Sequence, residues 1–208
     1  MNEVATTVIG IDVGGERKGF HAVVLQGGTF AATLAASDPA VIVSWCRQLK
    51  AVVVAVDAPC GWSDGGASRL AERSLAIGPH KIHCFATPTR ALANKSSFYK
   101  WVFNGERLYR QLAKHYVLFD GSRRAGRACF ETFPHAVVCA LAGRVVAARP
   151  KRETRRAALR KLGYDVSSLG NVDFVDAALC AVTAHAFARC SYRLFGEKNE
   201  GFVVVPVG

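Results

Sequence analysis

The sequence predicts an α/β protein built on a mixed sheet, and three stretches carry the prediction. "TVIGIDVGGERKG" (7–19) is a β-branched run that stops at Asp12 and two glycines. "AVVVAVDAP" (51–59) is apolar throughout and stops at a second carboxylate, Asp57. Such continuous apolarity marks a strand buried on both faces and therefore parallel to a neighbour. "VDFVDAALCAVTAHAFARC" (172–190) is long, alanine-rich and apolar nearly all round, as a buried helix must be.

The elements follow in order. The first strand runs to Asp12, "GFHAVVL" is a second, and the "QGG" turn leads to a third, "TFAATLA". Three short strands joined by glycine turns form an antiparallel meander. Ser37-Asp38-Pro39 opens the helix "AVIVSWCRQLK", with a capping side chain and a proline where a first turn accepts one. The strand ending at Asp57 is next. Residues 58–97 then break into glycine and proline punctuation with one short helix, a long insertion suited to serve as a lid. "SFYKWVFNGERLYRQLAKHY" is a long helix, "ACFETFP" a fifth strand, and "HAVVCALAG" a short helix stopped at Gly143. The basic helix "KRETRRAALRKLG" and the 172–190 helix come next, and "GFVVVPVG" closes the chain as a strand or an extended tail. With 208 residues and no repeats, the chain fits a single domain, 1–208, with 58–97 as a lid or insertion within it.

Half of the residues are hydrophobic and 21% charged, a composition that folds rather than staying disordered. The 27 Lys and Arg against 16 Asp and Glu give a formal +11, which favours a polyanionic partner, nucleic acid first among them. Seven cysteines, an odd number without a CxxC pair, read as buried thiols of a cytoplasmic protein rather than a disulfide framework. The opening "MNEVATT" carries an acid and no basic run, so no signal peptide is expected, and no apolar run is long enough to span a membrane.

If the strands ending at Asp12 and Asp57 are parallel neighbours, their carboxylates leave one sheet edge about 5 Å apart. Two negative charges at that distance repel by about 3 kcal/mol at an effective dielectric near 20, so the pair requires a cation or a shared proton. Either aspartate alone is equally well explained as a turn cap. Asp173 and Asp176 lie one helical turn apart on the 172–190 helix. Asp173 sits where a cap or helix-dipole role explains it. Asp176 lies deeper among Val175, Ala177, Ala178 and Leu179, and a buried carboxylate calls for a metal or a hydrogen-bonded partner. Glu131 either joins this cluster or pairs with an arginine. An all-oxygen site suits Mg²⁺ or Mn²⁺ rather than zinc, and such ions promote phosphodiester hydrolysis.

These residues resemble a widespread family of uncharacterised predicted nucleases with a ribonuclease-H-like fold. The resemblance is carried by "GIDVGGERKGF", "VDAPCGW" with "SRLAERSLAIG", "CFATPTR", "FETFPHA", "KRETRRAALRKL" and "DFVDAALCA", in that order along nearly the whole chain. It implies a ribonuclease-H-like mixed five-stranded sheet flanked by helices, with the insertion after the fourth strand. It implies a catalytic set of Asp12, Asp57, Glu131 and Asp176, with Asp12, Asp57, Asp173 and Asp176 on Mg²⁺ or Mn²⁺. It touches Arg69, Arg73, Arg90 and Lys151 without giving them roles.

Candidate phosphate contacts are the basic pair Arg17 and Lys18, Arg90, and Lys151, Arg152, Arg155 and Arg156 of the basic helix. There Arg152, Arg156 and Arg160 recur every four residues as a stripe, which either follows a phosphate backbone or is a solvated face. "GSRRAGR" (121–127) adds a basic loop. His80, His83, Cys84 and Cys60 lack the paired spacing of a zinc site. The Asn94-Lys95-Ser96 sequon means nothing in a cytoplasmic protein, and His185 reads as a core histidine. Two other functions fit: an actin- or sugar-kinase-type phosphotransferase, from the Gly14-Gly15 turn, and a non-catalytic nucleic-acid or protein-binding module. DNA versus RNA, the cleavage position and the oligomeric state are not encoded legibly.

Overall fold

The computed structural model describes residues 6–122 and 126–208. The first five residues and Arg123 and Arg124 of the basic loop lie outside them. The meander is β1 (Val8–Val13), β2 (Phe20–Gln26) and β3 (Thr29–Ala36), all antiparallel. Helix α1 (Pro39–Gln48) starts as its sequence dictates, with Ala40 N donating to the Asp38 carboxylate at 2.8 Å. It returns the chain to β4 (Val53–Asp57), which lies parallel to β1.

The insertion carries more structure than one helix: α2 (Leu70–Ser74), a minimal hairpin of β5 (Ala76–Ile77) and β6 (His80–Lys81), and α3 (Arg90–Ala93). A 3₁₀ turn at Ser97–Tyr99 then leads into α4 (Lys100–Leu112), shorter than the sequence suggested. Next come β7 (Val117–Leu118), β8 (Ala128–Glu131) and α5 (Pro134–Ala142). Helix α5 stops at Gly143, whose φ of 66° is the left-handed cap that glycine supplies without strain. Helices α6 (Lys151–Lys161) and α7 (Val172–Ala188) precede a C-terminal hairpin, β9 (Tyr192–Glu197) and β10 (Gly201–Pro206). The tail read as "GFVVVPVG" is therefore a strand, and its partner β9 was not anticipated.

The sheet order is β3-β2-β1-β4-β8-β10-β9, with β7 beside β8. The expected five strands are its core, β3 to β8, with β1, β4 and β8 parallel and β2 antiparallel, as in the ribonuclease-H-like fold. The hairpin widens it. Alternation along the strands decides what each face carries. Ile9, Ile11, Val54 and Val56 pack under α1 and α4 with Ile42, Leu108 and Leu112. Val8, Val53 and Ala55 pack on the other face with Val137, Leu159 and the alanines of α7. By the period of two, Asp12 and Asp57 share that second face.

Helix α7 lies almost in contact with β1. A Cβ on Gly10 would fall 2.0 Å from the Ala177 carbonyl oxygen and 2.1 Å from the Ala181 nitrogen. Only glycine on the strand and small residues on the helix permit this approach. It brings the first turns of α7 to the tip of β1.

Candidate functional site

The parallel register pairs Asp12 directly with Asp57 at the ends of β1 and β4. Asp176, on the α7 turn that Gly10 admits, completes a triad whose candidate ligand oxygens all lie within 4.8 Å of one another. A second group, Asp12, His21 and Asp173, meets the same limit and shares Asp12. His21 was missed in the sequence because "GFHAVVL" reads as an ordinary strand. It stands opposite Asp12 in the β1–β2 ladder, edge-on to Phe174 at 4.9 Å.

Two cations reach into the acids. Lys18 Nζ donates to Asp173 Oδ1 at 2.5 Å, and Arg155, buried on α6, pairs with Asp176. The turn that delivers Lys18 is closed by Gly14 N donating to Gly19 O at 2.8 Å and by Asn104 Nδ2 of α4 donating to Gly14 O at 2.9 Å. The Gly14 amide is thus already engaged within the turn.

The electrostatics follow from burial and like charge. Burial, then Asp176 and Asp173, push Asp12 up to about 7, against the pull of Lys18 and Arg155. Burial, with Asp12 and Asp176 beside it, holds Asp57 well above the carboxylate range. Burial also raises Asp176, in spite of Arg155. Burial would lower Lys18, but the bond to Asp173 outweighs it and the ammonium is raised.

Glu131 does not join the triad. It is the register partner of Val56, so alternation turns it to the sheet face opposite the aspartates. There Arg69, 1% exposed, clamps it with Nη2 to Oε1 at 2.6 Å and Nη1 to Oε2 at 2.7 Å, and Cys60 N donates to Oε2 at 2.8 Å. Arg69 Nε also donates to Glu72 Oε1 at 2.8 Å. Glu200, in the β9–β10 turn, accepts from Asp64 N at 2.8 Å and Leu70 N at 2.6 Å. The start of the insertion is thereby stapled to the sheet edge.

The basic candidates divide. Arg17, Lys151 and Arg152 are exposed. Arg155 is buried against Asp176, so it faces the acids and not solvent. Arg156 is half-buried and donates to the carbonyls of Val166, at 2.8 Å, and Leu169, tying down the loop after α6. The expected stripe on α6 is therefore interrupted at its centre. Arg90 is exposed but paired with Glu106 at 3.0 Å. The His80, His83, Cys84 and Cys60 combination is not among the candidate metal groups of the described residues. The cysteines are all unbridged, and no helix among the described residues is long and apolar enough to cross a membrane.

The four aspartates open on one cleft of about 470 Å³, whose lining also includes Glu131 and Arg69. Asp12, Asp57, Asp173 and Asp176 line it beside Lys18, Lys151 and Arg155, with Phe85, Phe98 and Trp101 on its wall.

The family described as "Protein of unknown function (DUF429)" matches residues 10–200. Among curated proteins none matches the chain. A solved structure, that of Thermus thermophilus RuvC, aligns with a TM-score of 0.47 at 17% identity, over 89% of this chain and 96% of that one.

Proposed function

The chain belongs to the DUF429 family, and we propose that it is a metal-dependent nuclease that hydrolyses phosphodiester bonds at the Asp12–Asp57–Asp176 triad. The observation that carries this reading is the register itself. Two carboxylates meet on adjacent parallel strand ends and a third is packed onto them by α7, so their repulsion calls for a cation or a shared proton, and their close spacing on an open cleft favours the cation. The donor set fits Mg²⁺ or Mn²⁺, being all oxygen and closely spaced.

Asp12 and Asp57 would be its principal ligands and Asp176 the third, with Asp173 a helper that holds Lys18. Bound there, the ion would supply an activated water and stabilise the leaving oxygen. Lys18 and Lys151, on the rim of the cleft, are placed to attract the phosphate backbone, and Arg155 to fix the Asp176 carboxylate. The protein's excess of positive charge suits a nucleic-acid partner, DNA or RNA.

Asp12→Asn tests the reading. With Mg²⁺ or Mn²⁺ and a panel of DNA and RNA substrates, the wild type should cleave. The variant should lose cleavage by several orders of magnitude and keep nucleic-acid binding. A wild type without turnover on the whole panel, or a fully active Asp12→Asn, removes the assignment.

A further inference from the structure

Large aromatic side chains left in water are unusual, because burying one stabilises a fold by about 1.5–3 kcal/mol. Nine large hydrophobic residues are exposed among the described ones, and only two are aromatic: Phe85 at 64% and Phe98 at 48%. Both belong to the wall of the carboxylate cleft. They come from separate segments, Phe85 from the insertion and Phe98 from the 3₁₀ turn before α4, yet their rings meet edge to face at 5.3 Å. Phe98 also stands edge-on to Tyr99 at 5.0 Å, and Trp101 continues the same wall.

The segments that carry them are anchored. Thr87 N donates to Glu72 Oε2 at 2.9 Å, two residues from Phe85, and Phe98 N donates to the Ser96 hydroxyl at 3.2 Å. Hydrogen bonds thus hold the backbone beside both rings. Lys18, Lys151 and the four aspartates line the same cleft as the rings.

From this arrangement we propose that the cleft takes single-stranded nucleic acid, with unpaired bases stacked on Phe85 and Phe98 and the backbone drawn to Lys18 and Lys151. Proteins that hold single strands without reading sequence stack the bases on exposed rings and draw the backbone to nearby basic side chains. Paired bases offer no free π-face away from a helix end, so a duplex would gain nothing from the rings. The proposal rests on the nuclease reading only in placing a backbone phosphate at the triad.

Binding is measured in EDTA, so that cleavage does not interfere, by anisotropy of a labelled 12-nucleotide strand as DNA and as RNA. The same strand in a duplex, and one with abasic positions, serve as comparisons. The wild type should prefer the intact single strand by at least about tenfold. The double variant Phe85→Ala, Phe98→Ala should lose at least about 30-fold on that strand alone, the lower bound for two stacked bases at about 1 kcal/mol each. Phe85→Tyr, Phe98→Tyr should bind as wild type. Since both rings are exposed, melting temperatures should not change. A duplex bound as tightly as the strand, a double variant bound as well as wild type, or no oligonucleotide binding at all overturns the proposal.

Parallel assays with Mn²⁺ separate the two readings. Duplex cleavage unaltered in the double variant leaves the nuclease standing without the stacking wall. Phenylalanine-dependent binding of a strand that is never cut leaves the wall standing without the nuclease.

Discussion

Asp12 is the register partner of Asp57, and burial first, then neighbouring carboxylates, raise both: Asp176 and Asp173 act on Asp12, and Asp12 and Asp176 on Asp57. Metal-free stability should report this directly. Asp12 titrates at about 7 in the fold against 3.8 in its absence. Between those values the folded protein binds more protons than the unfolded chain, so stability falls as pH rises from about 4 through 7. The slope reaches about 1.4 kcal/mol per pH unit for this group. In EDTA the melting temperature should therefore decline across that window, and Mg²⁺ should restore it at pH 7.5. Asp57→Asn removes one repelling charge and should raise the metal-free melting temperature while abolishing the gain from metal. An aspartate that merely capped its turn would give a less stable variant in EDTA and a wild type indifferent to metal. Asp12 and Asp57 were legible because a carboxylate closing an apolar run is conspicuous. The partner of Glu131 was not: Arg69 lies 62 positions away. That Arg155 turns toward Asp176 was illegible for a related reason, since which side of α6 turns inward depends on where α7 presents Asp176.

At the scale of elements the site depends on how closely α7 lies on β1. Gly10→Ala would drive a methyl into the backbone of α7, at 2.0 Å from the Ala177 oxygen, where no side chain can yield. Overpacking of this kind costs about 1–3 kcal/mol when the neighbours adjust. Here the adjustment is a displacement of the helix that carries Asp176. The variant should show a lower melting temperature and, in whatever fraction folds, weaker Mn²⁺ binding by calorimetry. Gly15→Ala is the control: nothing lies within 4 Å of its added Cβ, and its melting temperature should be unchanged. Helix α7 and the β-β-β-α-β order were readable from period and punctuation. Strand β9 was not, because "YRLFGE" mixes charge with Gly196 and depends for its stability on β10 alongside it. Strand β7 has only two residues, too few for any alternation to register.

Across the whole molecule the +11 charge has to be divided between structure and surface before it says anything about binding. Arg69, Arg90, Arg155 and Arg156 are engaged with acids or carbonyls of the protein, whereas Lys18, though paired with Asp173, keeps half of its side chain exposed. Lys151 and Arg152, at the exposed start of α6, remain for a polyanion, and Lys151 reaches the cleft itself. Charge reversal at both should therefore weaken nucleic-acid binding and flatten its dependence on salt. Each phosphate that is no longer neutralised reduces the slope of log K against log salt by about 0.7 on a single strand. The double reversal should thus lower it by about 1.4, with no change in melting temperature. Arg156→Glu should behave in the opposite way. Its guanidinium holds the carbonyls of Val166 and Leu169, so the variant should melt earlier while the salt slope of the folded protein stays near wild type. Titrations at several salt concentrations, with melting curves on the same preparations, separate the two kinds of arginine. A slope unmoved by reversal at Lys151 and Arg152 would put the binding face away from α6 and away from the mouth of the carboxylate cleft.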